Sequence, residues 1–141
     1  MKTLVDTCVW SLSLRRRSKS ALNEAEQRYV RSLAEAIQDG RVAMIGPIRQ
    51  EILSGIKDAG QFEKLRSALD AFDDEPIATQ DYEQAARLYN LCRSRGIECG
   101  PVDILICAVA AANRWSLLTS DTGLMRCVEA LKVDGQFHPA P

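Results

Sequence analysis

A chain of 141 residues with 46% hydrophobic side chains and a formal net charge of −1 has the length of one domain and can bury roughly 70% of the surface its unfolded form exposes. That balance excludes an extended disordered chain and a nucleic-acid binder that works by bulk positive charge, while leaving room for a local basic patch. The longest apolar run, Ile104 to Ala112, is nine residues, well short of the roughly 20 of a spanning helix. No membrane partner is therefore expected. The opening MKTLVDTCVW carries one early lysine and an apolar stretch cut by Asp6, which does not fit a secretory signal, so the expected address is the cytoplasm.

Thr3-Leu4-Val5 is a short β-branched apolar run that ends at Asp6 and reads as a buried strand. The basic cluster Arg15-Arg16-Arg17 with Lys19 follows. Asn23 and Glu26 then form a capping-box start for a helix to about Gln38, with Ala25, Tyr29, Leu33 and Ile37 at helical spacing and Gly40 as its stop. Val42 to Ile45 is a second strand. Gly46-Pro47 opens a helix with Ile48, Ile52 and Leu53 on its apolar side. Another helix, about Ala59 to Phe72, carries Phe62, Leu65, Leu69 and Phe72.

After the acidic turn Asp73-Asp74-Glu75-Pro76, Ile77-Ala78 is expected as a brief third strand. Thr79 is expected to cap a long helix that buries Tyr82, Ala85, Ala86, Tyr89 and Cys92 and stops at Gly96. Gly100-Pro101 opens a helix through Asn113, apolar nearly all round and so buried between other elements. Ser116 to Thr119 is a fourth strand, Asp121 to Leu131 a last helix, and Val133 to His138 a candidate edge strand. There is no internal repeat and no linker. Alternating strands and helices predict an α/β fold with a mostly parallel central sheet of four to five strands surrounded by helices, residues 1–141 forming one domain.

Five cysteines, an odd number without a CxxC pair, are expected as free thiols in a reducing compartment. The one histidine, His138, lies three residues from the end. A His-rich zinc site is thereby excluded, and a histidine-based triad is disfavoured.

In parallel α/β sheets, ligands gather at the carboxyl ends of the strands. Asp6 ends the first strand and Asp121 follows the fourth by two residues; Asp103 opens the helix between them in the chain, and Glu51 lies just after the second strand. Taken singly, each has an ordinary structural explanation as a cap or a solvated side chain. Gathered together, they would repel one another and raise their pKa values unless a divalent cation compensated. Mg²⁺ and Mn²⁺ prefer such oxygen donors and activate water for attack on phosphodiesters.

Four segments, VDTCVW (5–10), IRQEILSG (48–55), VDILICAVA (102–110) and LLTSDTGL (117–124), resemble the acidic motifs of PIN-domain nucleases, most nearly VapC-type toxins of type II toxin–antitoxin systems. The resemblance spans essentially the whole chain. It implies a PIN-like nuclease domain, with Asp6, Glu51, Asp103 and Asp121 as catalytic, metal-binding carboxylates. Thr7 and Thr119 would be hydroxyls that orient them. It further implies Mg²⁺ as cofactor with Mn²⁺ as substitute, an RNA substrate, a cognate VapB-type antitoxin, a homodimer and a toxin–antitoxin hetero-oligomer. Arg15, Arg16, Arg17 and Lys19 are candidates for gripping the RNA backbone, with Arg49 and Arg93 as further candidates. Trp10 and Trp115 could stack on bases, although the core is the commoner place for such residues. Gly123 stands where many relatives carry a second acid. That departure leaves room for an alternative, a non-catalytic PIN-like domain that binds RNA or a partner through a degenerate acidic site.

Overall fold

The computed structural model describes residues 1–14 and 22–133. Along the chain run β1 (Thr3–Val5), α1 (Thr7–Leu14), α2 (Glu24–Gln38), β2 (Val42–Ala43), α3 (Gly46–Leu53), α4 (Ala59–Leu69), α5 (Thr79–Ser94), α6 (Pro101–Asn113), β3 (Ser116–Leu118) and α7 (Thr122–Val133). The expected alternation and the parallel sheet are both present. The sheet has the order β2-β1-β3, every pair parallel, with Leu4 opposite Ala43 on one side and Leu117 on the other. β1 is thus central and fully buried, as its apolar run requires.

Among the described residues the sheet has three strands rather than four or five. The expected strand at Ile77-Ala78 is replaced by a single parallel bridge between Met44 and Asp74. The Glu75 N–H still donates to Met44 O, at 2.8 Å, but Pro76 has no N–H to continue a ladder. The Ala78 N–H is then taken by the Asp81 carboxylate at 2.8 Å. Ala78, not Thr79, is consequently the N-cap of α5. Val133 is the last residue of α7, and residues 134–138 of the candidate edge strand, including His138, lie outside the described residues.

Helix α1 had no clear signal in the sequence. Its uncharged stretch TCVWSLSL is capped by Asp6, whose backbone O accepts from the Val9 and Trp10 N–H groups and whose Oδ1 accepts from the Thr7 N–H. Val9, Trp10 and Leu12 are buried, and Trp10 meets Phe72 edge-on with centroids 5.3 Å apart. Trp115 is buried too. Both indoles belong to the core and neither is available for base stacking.

Helix α2 has the expected capping box, with the Glu26 N–H donating to Asn23 Oδ1 at 2.8 Å and the Asn23 N–H to Glu26 Oε1 at 3.1 Å. Gly40 ends the turn beyond it at φ +66°, a conformation L side chains rarely adopt. Its buried stripe is Leu33 and Ala36, with Ala25 and Ile37 exposed. In α5 the buried face is Ala85, Leu88 and Cys92, while Tyr82 and Ala86 are exposed. Leu88 turns that stripe towards α6, along which α5 packs. Residues Ile104 to Ala110 of α6 are all buried, as a helix apolar on every side must be. No helix among the described residues is long and apolar enough to cross a membrane.

Cys8, Cys92 and Cys107 stand outside any disulfide, but Cys99 and Cys127 form one with their Cα atoms 6.5 Å apart. This corrects the expectation of five free thiols; proximity in the fold brings together two cysteines separated by 28 positions. Closing a loop of that length removes unfolded-state entropy worth about 3–4 kcal/mol. Reduction is therefore expected to lower the Tm in thermal melts, and Cys99→Ser should show the lowered value with or without reductant.

Candidate metal centre

The central position of β1 places Asp6 at the carboxyl edge of the sheet between the ends of both neighbours. The Asp6 N–H donates to Leu118 O at 2.9 Å, so pairing with β3 fixes the backbone at the site. The side chain is buried and held on both oxygens. Oδ1 accepts from the Thr7 N–H at 2.8 Å, and Oδ2 accepts from the Thr119 hydroxyl at 2.8 Å and the Cys8 thiol at 3.3 Å.

The two threonines tie Asp6 to its neighbours. The Thr7 hydroxyl donates to Glu51 Oε1 at 3.1 Å across 44 positions of chain. Thr119 accepts from the Asp121 N–H at 3.0 Å while donating to Asp6. Cys8 completes this network, accepting from the Ser120 N–H at 3.3 Å and meeting Thr119 Oγ1 at 3.5 Å. Sequence reasoning missed Cys8; the available signal was its position two residues after a strand-ending aspartate.

Asp103 enters from the first turn of α6, whose N-cap is Gly100. Its carboxyl is pushed up from 3.8 to about 6, first by burial and then by the charges of Asp6, Asp121 and Glu51. Asp103 is thus close enough to feel each of the other three acids. Among the described residues, no three His, Cys, Asp or Glu side chains are drawn together at coordinating distances. The donor set, carboxylates without an imidazole, fits a hard divalent cation. Cys107, one turn further along α6, is no rival ligand. Burial, with Asp103 next, pushes its thiol up to about 12.

Asp121 is exposed and folds back onto α7, with Oδ1 accepting from the Gly123 N–H at 2.8 Å. A Cβ at position 123 would lie 3.2 Å from that oxygen, so the glycine leaves room for this turn. Arg49 spends its guanidinium on structure: Nε pairs with Asp74 at 2.9 Å, and Nη1 and Nη2 donate to Leu69 O and Phe72 O beyond the end of α4. It is removed from the RNA-contact candidates. Arg15, Arg16, Arg17 and Lys19 lie outside the described residues.

A parallel three-stranded sheet with four acids at its carboxyl edge is matched by a family model for the PIN domain over residues 3–129. The chain belongs to the PIN domain family. Two solved structures share this PIN fold. FitAcB from Neisseria gonorrhoeae matches with a TM-score of 0.70 and 21% identity, over 89% of this chain and 91% of that one. VapBC2 from Rickettsia felis, bound to a DNA fragment from their promoter, matches with a TM-score of 0.69 and 18% identity, over 89% and 92%. Among curated proteins, none matches the chain.

The crowded carboxylates give the PIN domain a defined pH response. Because folding raises the Asp103 pKa, the native state binds that proton more tightly than the unfolded state does. Without metal, stability from this group is fullest below about pH 4 and falls as pH rises through about 6. With the open half of the carboxylate screened by solvent, the loss is on the order of 1 kcal/mol, a few degrees in Tm. Melts with chelator from pH 4 to 7 should show it, and Asp103→Asn should remove it. Added Mg²⁺ should raise the Tm of the wild type above pH 6 and not that of Asp103→Asn.

Proposed function

We propose that this PIN domain, residues 1–141 acting as one unit, is a metal-dependent endoribonuclease and the toxin of a type II toxin–antitoxin pair. The observation that carries the reading is the half-buried Asp103 facing Asp6, Glu51 and Asp121 at the carboxyl edge of a PIN-fold sheet. Such an arrangement is costly for a protein that binds no cation there.

Asp6 and Asp103 would hold Mg²⁺ most firmly, with Mn²⁺ as a substitute and Glu51 and Asp121 reaching in from the exposed rim. When bound, the ion supplies Lewis acidity and a water activated for in-line attack on an RNA phosphodiester. The protein's own residues orient the donors. Thr119 and Thr7 fix the plane of Asp6 through its two oxygens, and Thr7 also restrains Glu51. Asp103 would present its carboxylate from the first turn of α6, where the macrodipole favours its negative charge.

The two similar structures are FitAcB and VapBC2, the second bound to DNA from its promoter. They support a cognate VapB-type antitoxin as protein partner, and we further propose a homodimer and a hetero-oligomer of the two chains, in the cytoplasm. The alternative, a non-catalytic domain that binds RNA or a partner, draws on one observation: Asp121 is the sole acid of its motif and is turned onto Gly123.

Cleavage of total bacterial RNA by purified protein separates these readings. Cutting is expected with Mg²⁺ or Mn²⁺, and none with chelator or with Asp6→Ala. Thr119→Val should slow it about 10- to 100-fold, the usual effect of losing a hydrogen bond to a metal ligand. Wild type and Asp6→Ala giving the same trace would sink the nuclease reading. No cutting by folded, antitoxin-free protein would favour the binding domain.

A further inference from the structure

We propose that the cleft between the end of α5 and the loop entering α6 binds the RNA backbone beside the bond that is cut, with Arg93 as its phosphate contact. This assignment rests on the ribonuclease reading above. The cleft measures about 630 Å³ and is lined by Tyr89, Arg93, Gly96, Glu98, Cys99 and Gly100, a size that suits a small ligand or a short stretch of a larger one.

Gly100 joins this cleft to the acidic pocket. It lines the cleft and is the N-cap of α6. A Cβ built on it would meet Asp103 Oδ2 at 3.6 Å. The carboxylate and the cleft therefore share a wall one residue thick. A strand with its phosphate at Asp103 has this cleft as an adjoining channel.

The acids themselves repel a polyanion, so the backbone must be gripped by cations set beside them. Arg93 is built for that. It lies one helical turn after Tyr89, its Cζ 5.9 Å from the ring centroid and its Nη1 donating to the phenol oxygen at 3.4 Å. That bond uses one of five guanidinium donors and pre-organises the rest. Arg41, Arg49 and Arg66 are committed to carboxylates. No carboxylate among the described residues stands within ion-pair distance of Arg93. Glu98 lines the same cleft and opposes an anion there. The disulfide to Cys127 holds Cys99, on the cleft wall, against α7.

Binding of a 5′-fluorescein, mixed-sequence, single-stranded 20-nucleotide RNA to Asp6→Ala protein, which is not expected to cut, tests the assignment by anisotropy at several salt concentrations. Adding Arg93→Ala should weaken Kd about five- to tenfold and reduce the salt slope by about 0.7, the share of one single-strand phosphate contact. Arg93→Lys should keep the slope, Glu98→Gln should tighten binding, and exposed Arg31→Ala on α2 should change neither quantity. In protein with Asp6 intact, Arg93→Ala should raise KM and leave kcat within about twofold; this ratio decides where binding is too weak to measure. If the wild type cuts RNA and Arg93→Ala behaves like Arg31→Ala, the cleft assignment is overturned and the nuclease reading stands. If the wild type neither cuts nor binds RNA, both fall.

Discussion

Bringing carboxylates together partly out of water is the constraint that the site in this fold must meet. Four acids from four distant parts of the chain come to the carboxyl edge of the sheet, and burial first, with the charges of the other three after it, pushes the Asp103 carboxyl up to about 6. Local propensity cannot gather such groups. They converge because each is fixed to a rigid element that the core places for other reasons. Asp6 is fixed by a buried central strand, and Asp103 by a helix with seven consecutive buried residues, Ile104 to Ala110. The apolar burial next to each acid offsets the electrostatic cost of bringing them together.

Exposure across the pocket is graded. Asp6 is buried and hydrogen-bonded on both oxygens, Asp103 is half-buried, and Glu51 and Asp121 are exposed. Desolvation and rigidity therefore fall from the sheet outward. A cation entering such a site meets its best-ordered donor at the bottom and its most adaptable donors at the rim. Thr119 occupies the pivot, because one hydroxyl donates to Asp6 and accepts from the backbone of Asp121. The end of β3 is thereby tied to the end of β1 by a side chain as well as by the ladder.

Features with local causes were legible in the sequence. The Asn23–Glu26 capping box, the Gly100-Pro101 helix start, the apolar run of α6 and the end of β1 just before Asp6 depend on residues near one another in the chain, as does β3, which ends at Leu118, one residue earlier than expected. The acids at those strand ends were legible for the same reason. What escaped depends on tertiary partners. Helix α1 has no apolar periodicity and is started by the main chain and side chain of Asp6. The buried face of α5 is chosen by α6, and the Cys99–Cys127 pairing joins two elements whose proximity no spacing reveals. Cys8 escaped because a thiol reads as core until a carboxylate and a hydroxyl are seen against it. Pro76 disfavours a strand at Ile77, since its missing N–H breaks the ladder.

A formal charge near zero sets how such a protein would meet a polyanion. With 18 basic and 19 acidic residues, the molecule projects little net field, and what it has is screened over about 8 Å at physiological salt. Long-range attraction would contribute little to encounter, and an acidic pocket opposes close approach until a cation occupies it. Affinity must then come from a few cations within a Debye length of the acids, held so that they do not collapse onto them. Arg49 is close to Glu51 in sequence yet is consumed by Asp74 and the carbonyls at the end of α4, whereas Arg93 rests on an aromatic ring with the Glu98 charge acting on it. Placement of guanidinium groups, rather than their number, would therefore decide which strands reach the pocket. Two PIN domains with the same four acids can select different substrates on that basis alone.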